Sequence, residues 1–371
     1  MERLRLTSLT VRGFKSLEKL EDFALRDVNV LIGANGAGKS NLVDFFRLLR
    51  AIGQAQLQSF VSDQGGGDSL LFLGPKRTSK LIARIAFSDM IYEFCLKATA
   101  ASALMFTSES VEGLPGWPAA RTFPSGHLES KLVDFKNHKP GRSGDPPNTG
   151  PIVRALTHLR IHHFNDSSKL ANARRQHSIR DYEYLRDDAS NLAAILLRLR
   201  QKHSDHYERI RDTVRLVAPF FDDFLLRPEE TGGEEKVGLE WRQKGSDYPF
   251  QPSQLSDGTL RFISLVTALS QSDPPSIIVI DEPELGLHPD AISLLADMVR
   301  AESTRTQFIV STQSPTFVDQ FDVADIIVVR REEAHSVFER LDHAALKKWL
   351  KDYTIGELWQ KNVVRGGPAH E

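Results

Sequence analysis

The sequence predicts an α/β protein with a mixed N-terminal sheet, a parallel α/β core and a short helical insertion. Three observations lead to this prediction. The second half alternates apolar strand patterns with helical patterns, which is typical of a parallel sheet covered by helices. A glycine-rich loop near the N-terminus joins an apolar strand to a helix. Between them, at about residues 70 to 135, alternating apolar segments separated by turn signals predict an antiparallel sheet.

Length and composition set the broad class of the protein. A chain of 371 residues is long enough for about two structural units. We expect an N-terminal lobe over 1–160, a helical insertion over 161–235 and a C-terminal lobe over 236–371. The net charge of −2 gives no overall field for nucleic acid or membrane. The single cysteine, Cys95, excludes an internal disulfide and a cysteine-rich metal site.

Hydropathy predicts a protein without membrane association. A bilayer-spanning helix needs about 20 consecutive apolar residues, and the sequence contains no such stretch. The first residues also lack the apolar region of a secretory signal. We therefore expect a cytoplasmic protein.

Local patterns predict the elements in chain order. Strands are expected near 4–11, 17–25 and 27–32, with a helix over 41–51, and a hairpin over 81–87 and 91–96 followed by a strand at 104–110. Pro, Gly and polar residues over 136–151 predict an exposed, mobile loop. A strand at 159–164 and two helices, from 190 and over 203–221, should precede short strands at 237–241 and 248–250. The predicted C-terminal core consists of helices at 256–269 and 290–303 and strands at 276–280, 307–311 and 326–329.

Residues 33–40 match the phosphate-binding pattern G-x-x-x-x-G-K-[ST]. The pattern lies between an apolar strand and a helix, which is the context that it requires. Backbone N–H groups of such a loop point at a phosphate, and the helix N-terminus adds partial positive charge. Lys39 should reach the β- and γ-phosphates, and the Ser40 hydroxyl should bind Mg²⁺. The sequence thus predicts ATP and Mg²⁺ as cofactors, with nucleotide contacts from Gly33, Ala34, Asn35, Gly36, Ala37, Gly38, Lys39, Ser40 and Asn41.

A second apolar strand ends in two carboxylates, Asp281 and Glu282. Ligands bind at the carboxyl ends of the strands in parallel sheets. Asp281 is placed to hold Mg²⁺, and Glu282 is placed to polarise the water that attacks the γ-phosphate. Together with the loop at 33–40, this pair predicts a nucleotide-hydrolysing site.

The segment Leu255-Ser256-Asp257-Gly258-Thr259 opens a predicted helix. Ser256 is a favoured N-cap residue, and Gly258 permits a close backbone approach. The N-terminus of this helix is a second candidate anion site.

The order of these motifs resembles an ABC-type ATPase of the SMC/RecF/OLD branch, and more narrowly the stand-alone prokaryotic AAA-type ATPases of that branch. The opening Gly13-Phe14-Lys15-Ser16 and the segment 284–289 also match the branch. The resemblance implies an ABC-ATPase head in which Ser256 and Gly258 bind the γ-phosphate held by another subunit. Gln313 stands at the switch position, where the family usually has histidine. Glutamine can hydrogen-bond a phosphate oxygen but cannot become cationic, so we expect slow hydrolysis.

Two further site residues follow from the resemblance alone. Arg12 or Lys15 is expected to contact the nucleotide. Asn165 or Asp166 occupies the place of the Q-loop, which makes Asp166 a candidate Mg²⁺ ligand, although no glutamine marks the position.

The resemblance implies an ATP-dependent homodimer that acts on DNA or controls a separately encoded nuclease or toxin, in DNA repair or anti-phage defence. The chain has neither a long coiled coil with a Cys-x-x-Cys hook nor a TOPRIM-type carboxylate cluster. Two alternatives are an ATP-gated scaffold with little hydrolysis and a transporter-associated ATPase. Candidate DNA contacts are the basic residues of the insertion, although acidic residues interleave with them: Arg174, Arg175, Arg180, Arg186, Arg198, Arg200, Lys202, Arg209, Arg211 and Arg215.

Overall fold

A computed structural model describes residues 4–113, 120–137, 148–164 and 172–364. Two six-stranded sheets and two three-stranded sheets organise these residues. The first half contains β1 (Leu6–Phe14), β2 (Leu17–Ala24), β3 (Val28–Ile32), α1 (Lys39–Gly53), α2 (Leu57–Asp63), β4 (Leu81–Phe87), β5 (Met90–Ala98), β6 (Leu104–Gly113), β7 (Arg121–Thr122), α3 (Gly150–Thr157) and β8 (Arg160–His162).

The second half continues with further helices and strands. They are β9 (His177–Ser178), α4 (Leu192–Lys202), α5 (Ser204–Val217), β10 (Phe221–Leu225), β11 (Glu229–Thr231), β12 (Glu234–Val237), β13 (Glu240–Gln243), β14 (Pro249–Phe250), α6 (Asp257–Leu269), β15 (Ile277–Asp281), α7 (Pro289–Glu302), β16 (Gln307–Thr312), α8 (Pro315–Val318), β17 (Ile326–Glu332), β18 (His335–Arg340), α9 (His343–Leu346) and α10 (Ile355–Gln360).

The N-terminal sheet is antiparallel, in the order β2-β1-β4-β5-β6-β7. Its strands alternate buried and exposed residues, as expected for a sheet with one covered face. The predicted hairpin is confirmed, since β4 and β5 pair from Leu81–Leu96 to Ala86–Ile91 around the turn at Ser88 and Asp89.

The core sheet has the order β18-β17-β3-β16-β15-β8, with β18 antiparallel to β17 and the other neighbours parallel. All residues of β3, β15 and β16 are buried, which fits their nearly continuous apolar sequences. Because β16 lies between β3 and β15, the carboxyl ends of these three strands meet at one edge.

Alternate core-strand residues face two different apolar layers. Val30, Ile280 and Val310 pack with α4, α5, α6 and α7 on one face. On the other face, Leu31 and Ile309 pack with α1, α3 and the N-terminal sheet. The core sheet therefore lies between these two apolar layers, and the mixed α/β prediction is confirmed.

Two helices differ from the sequence prediction. The prediction of a loop over 136–151 is wrong at its C-terminal end, because α3 begins at Gly150 and Pro151 occupies its first turn. Proline fits that position, where a backbone N–H has no helical partner, so it marks a helix start here. Helix α2 was not predicted, and its seven residues bury only Leu57 and Val61.

Glu129 holds the N-terminus of α2 from a distant part of the chain. Its carboxylate accepts hydrogen bonds from the backbone N–H groups of Leu57, at 2.8 Å, and Gln58, at 2.9 Å. We expect Glu129→Ala to lower the free energy of unfolding by about 1–2 kcal/mol, because a charged cap and its two hydrogen bonds are removed. Urea denaturation measures this change. Glu129→Gln, which keeps an acceptor oxygen, should lose less; equal stability of the alanine variant and wild type would contradict the assignment.

Candidate nucleotide-binding site

The loop at residues 33–40 lies between β3 and α1, as predicted, and glycine is required at its tightest positions. Gly36 and Gly38 have φ angles of 76° and 111°, which side-chain-bearing residues rarely adopt. A Cβ atom on Gly38 would overlap the hydroxyl of Ser336, and one on Gly33 would overlap the carbonyl of Val329. The loop is thus formed against β17 and β18.

Three polar side chains fix the outer side of this loop. The hydroxyls of Ser16 and Ser336 are 2.7 Å apart, and the Ser336 hydroxyl donates to the carbonyl of Ala37 at 2.6 Å. The Asn41 amide donates to Ser16 at 2.6 Å. The Asn41 side chain therefore contacts Ser16, and its backbone N–H donates to the carbonyl of Gly38 at 3.1 Å. Its assignment as a nucleotide contact stays a prediction. The N-terminal turn and β18 together hold the loop in shape.

Lys39 is buried beneath the loop, and its ammonium donates to the carbonyls of Gly33 at 2.5 Å and Ala34 at 3.2 Å. Burial lowers the pKa of Lys39, while the negative charges of Glu282, Asp281 and Glu284 oppose this. The ammonium is therefore close enough to three carboxylates for their charges to act on its pKa.

Asp281 ends β15 and is buried. It accepts a hydrogen bond from the Ser311 hydroxyl of β16, and the Nδ1 atom of His163 lies 3.0 Å from its Oδ2 as an ion-pair contact. Burial raises the pKa of Asp281, but His163 and Ser311 outweigh burial and leave the pKa below its usual value. The carboxylate is thus ionised at neutral pH.

The donor set fits Mg²⁺. This ion binds through one or two protein oxygens together with substrate phosphates and water. Asp281 supplies an ionised carboxylate and Ser40 an exposed hydroxyl at the start of α1. Within the residues that the structure describes, no cluster of three or more His, Cys, Asp or Glu side chains forms a metal site of its own.

Glu282 follows Asp281 with a φ angle of 49°, a conformation that is strained for a residue other than glycine. Its backbone N–H donates to the carbonyl of Ser311 at 2.8 Å, and its carboxylate accepts from the side-chain amide of Gln313. The structure therefore brings together the predicted water-polarising residue and the predicted switch residue.

Glu284 holds the switch segment, Thr312 and Gln313, through two hydrogen bonds. Its Oε1 atom accepts from the Thr312 hydroxyl at 2.6 Å and from the Gln313 backbone N–H at 2.8 Å. The side chain is buried, and no hydrogen bond to its Oε2 atom is found within the described residues. Burial raises the pKa of Glu284, although the two hydrogen bonds oppose this.

Ser256 caps α6, and its hydroxyl accepts from the Thr259 backbone N–H at 3.1 Å. A Cβ atom on Gly258 would overlap the carbonyl of Gly286, so this turn packs against the segment after Glu284. Among the described residues, no hydrogen bond joins Ser256 or Gly258 to the loop at 33–40. Within one chain, the two candidate anion sites therefore share no hydrogen bond among the described residues.

Two arginines hold the start of α6. Buried Arg261 donates through Nε to the carbonyl of Phe164 at 2.9 Å and through a second nitrogen to the carbonyl of Leu285. Arg174 donates to the carbonyl of Leu255 at 3.1 Å and to the carboxylate of Asp257 at 2.5 Å. The α6 start is therefore tied both to the end of β8 and to the segment following Glu282.

The structure does not place Arg12 or Asp166 in this site. Arg12 is on the exposed face of β1 and pairs with Glu21; none of its contacts within the described part of the chain reaches 33–41. Its assignment as a nucleotide contact stays a prediction. Asn165 and Asp166 lie outside the described residues.

Carboxylates neutralise many of the candidate DNA-contacting arginines. Pairs with carboxylates are formed by Arg174, Arg186, Arg209, Arg211 and Arg215. Arg200 instead donates to the carbonyl of Leu226 at 2.7 Å. These contacts leave less positive charge on the insertion than its sequence indicates.

Four site residues were not predicted: His163, Glu284, Ser311 and Ser336. A usable signal existed for the first, because His163 lies near the carboxyl end of the strand predicted at 159–164, and the carboxyl ends of parallel strands converge. The remaining contacts depend on which strands are neighbours, and an isolated sequence does not reveal this.

The described residues have the fold of an SMC-type ATPase head. Two solved structures are similar to the chain. One is an Smc head bound to the C-terminal winged-helix domain of ScpA, with 14% identity, a TM-score of 0.60, and coverage of 94% of this chain and 99% of that chain. The other is the Smc head with an extended coiled coil bound to the C-terminal domain of ScpA from Pyrococcus furiosus, with 14% identity, a TM-score of 0.58 and the same coverage. At this identity the likeness concerns the fold.

The family follows from residues 28–319, which match the family described as "AAA domain, putative AbiEii toxin, Type IV TA system". The chain belongs to this family. A comparison with curated protein sequences found no significant match. Membership of an AAA ATPase family supports nucleotide binding and ATPase activity. No helix within the described ranges is long and apolar enough to cross a membrane.

Proposed function

We propose that the chain is an ATP-hydrolysing ABC-type ATPase whose two copies pair head to tail around two ATP molecules. The observation that carries this proposal is the division of the site. Lys39, Asp281, Glu282 and Gln313 meet at the edge of the core sheet, whereas the capped turn at Ser256 makes no hydrogen bond with the loop at 33–40 among the described residues. A second chain would supply the missing turn to each site.

Each residue has a distinct part in the proposed reaction. The N–H groups of the loop and Lys39 bind and orient the phosphates, and Glu282 orients the attacking water. Gln313 connects this water to the switch segment through its contact with Glu282. Mg²⁺, held by Ser40 and Asp281, would supply positive charge to the β- and γ-phosphates. Ser256 and Gly258 of the second copy would cover the γ-phosphate side and exclude water.

We further propose that the ATP-bound dimer acts on DNA or controls an effector such as a nuclease or toxin. Two comparisons support this role. The family description names a putative toxin of a type IV toxin–antitoxin system, which fits anti-phage defence. The similar Smc heads are bound to domains of ScpA, so a head of this fold can carry a protein partner. DNA repair is the other setting that fits this class.

Glu282→Gln tests the paired state directly. This variant keeps the side-chain volume but weakens the polarisation of water, so ATP should remain bound and the dimer should accumulate. We expect a mass near twice 41.6 kDa by light scattering with saturating ATP and Mg²⁺, and the monomer mass without nucleotide.

A second variant shows whether the α6 turn forms the interface. Glu282→Gln combined with Ser256→Arg should bind ATP normally and remain monomeric, because the arginine would occupy the place of the neighbouring phosphate. A Glu282→Gln protein that stays monomeric at saturating ATP would rule out the paired model.

A further inference from the structure

We propose that the exposed face of the N-terminal sheet, together with the loop at 73–80, binds the phosphate backbone of nucleic acid without regard to sequence. We call this surface the basic face and define it by Arg12, Lys19, Lys76, Arg77, Lys80 and Lys97, all of which are exposed. The proposal deepens the DNA-directed part of the proposed function, and names a surface other than the helical insertion.

Strand register brings these residues together. Lys19 of β2 pairs with Arg12 of β1, and Arg12 pairs with Ile82 of β4. Leu81 of β4 pairs with Leu96 of β5, so Lys80 and Lys97 lie at the same end of neighbouring strands. Four strands at about 4.8 Å spacing place Arg12, Lys19, Lys80 and Lys97 across roughly 15 Å. The loop that carries Lys76 and Arg77 adjoins these strands, because its Thr78 side chain lies beside Gly13 of β1.

The charge on this face is weakly compensated. Arg12 and Lys19 share one carboxylate, Glu21. Among the described residues, no carboxylate lies within ion-pair distance of Lys76, Arg77, Lys80 or Lys97. This contrasts with the insertion, where carboxylates pair with many of the arginines. A protein with a net charge of −2 therefore concentrates weakly compensated positive charge at one end of one sheet.

The loop that carries three of these charges has a defined backbone. The N–H groups of Arg77 and Thr78 donate to the carbonyl of Gly74 at 3.1 and 3.0 Å. The carbonyl of Lys80 is so close to Gly13 that a Cβ atom there would contact it. A loop held in this way has little backbone entropy to lose on binding, so the ordering cost falls mainly on its side chains.

The chemistry favours phosphates over other anionic partners. Long basic side chains next to hydroxyls, here Thr78, Ser79 and Ser108, match the groups that contact phosphate oxygens. Few large apolar side chains are exposed on this surface, chiefly Leu73 and Ile82, so it lacks the apolar band that inserts into a lipid headgroup layer. No side-chain arrangement in the described part of this surface resembles a base-reading helix, so binding should not depend on sequence.

The test measures the anisotropy of a fluorescein-labelled 30-base-pair duplex of arbitrary sequence, without ATP, at several salt concentrations. The full chain should bind the duplex at low salt. Lys76→Gln, Arg77→Gln and Lys80→Gln in one variant should weaken binding at least about tenfold. The slope of log K against log salt should also become shallower, by about 0.9 for each phosphate that the variant no longer neutralises.

A matched variant removes the same charge elsewhere. Lys347→Gln, Lys348→Gln and Lys351→Gln change three exposed lysines near the C-terminal helices and should leave the affinity within about twofold. Equal losses in the two triple variants would overturn the proposal, as would absence of duplex binding by the full chain. Preferential binding to phosphatidylglycerol vesicles over the duplex would also overturn it.

Dimer formation and ATP turnover, measured on the same proteins, keep the two proposals apart. The basic-face variant should form the ATP-dependent dimer and turn over ATP at the wild-type rate without DNA. A change in duplex binding with normal pairing and turnover bears only on the basic face. Failure of ATP-dependent pairing in the Glu282→Gln protein, which has no change on the basic face, counts only against the proposed function.

Discussion

Lys39→Met should weaken ATP binding by about 10- to 100-fold, because a hydrogen bond to a charged group contributes about 1.5–3 kcal/mol and 1.4 kcal/mol corresponds to a factor of ten. Methionine keeps nearly the length of the lysine side chain, so packing beneath the loop changes little. Titration calorimetry with ATP and Mg²⁺ measures the affinity.

The arrangement of charges is the reason for a large effect. Lys39 is the cation among Asp281, Glu282 and Glu284, and each of these carboxylates acts on its pKa. Without the ammonium, a nucleotide carrying several negative charges would approach three carboxylates. Binding would then lack one attraction and also meet uncompensated repulsion.

Lys131→Met is the matched control for this prediction. Lys131 is exposed and pairs with Asp134 at 3.1 Å, far along the chain from the loop. Because exposed ion pairs contribute about 0–1 kcal/mol to stability, this variant should keep the wild-type ATP affinity. A Lys39→Met protein that binds ATP as tightly as the control would show that the loop at 33–40 is not the phosphate site.

The predictable part of the site is the part encoded in short continuous segments. Residues 33–40 combine the glycines, the lysine and the serine in one loop, so strand, loop and helix could all be predicted from one stretch. Asp281 and Glu282 could be predicted in the same way, from the end of an apolar strand. The N-cap of Ser256 was also predicted correctly.

The supporting contacts of the site could not be predicted, because they join residues that are distant in sequence. Ser336 contacts the loop only because β18 pairs with β17 and β17 pairs with β3. His163 reaches Asp281 only because β8 lies beside β15. The order of strands in the sheet differs from their order in the chain, and no local sequence pattern specifies that order.

Ion pairs between side chains also join residues that are distant in sequence, and they change how the positive charge of a segment is interpreted. The arginines of the insertion form a basic cluster in the sequence, but several of them contact carboxylates from other elements. The basic face shows the opposite: its members come from four separate segments, which the register of the sheet and the position of the loop at 73–80 beside β1 bring together.

Glu284 should be required for turnover but not for ATP binding. It is a positioning residue, because it acts on the reaction through the switch segment that it holds. Glu284→Ala removes the acceptor for both the Thr312 hydroxyl and the Gln313 backbone N–H. Gln313 then loses the anchor that directs its amide toward Glu282.

We expect kcat of the Glu284→Ala variant to fall about 10- to 100-fold, because an unsatisfied buried group costs about 1–3 kcal/mol and 1.36 kcal/mol is a factor of ten in rate. KM for ATP should stay near the wild-type value, since the loop at 33–40 and Lys39 are unchanged. Steady-state phosphate release measures both constants.

Glu284→Gln separates a positioning role from a merely structural one. Its amide oxygen can still accept from Thr312 and Gln313, and a neutral side chain suits a buried site whose carboxyl pKa is already raised. The glutamine variant should therefore recover most of kcat. If Glu284 served stability alone, the alanine variant would unfold at lower temperature while its folded fraction kept the wild-type kcat. Measuring kcat per folded molecule distinguishes these outcomes, and a wild-type value for Glu284→Ala would exclude a role of this carboxyl in setting the switch.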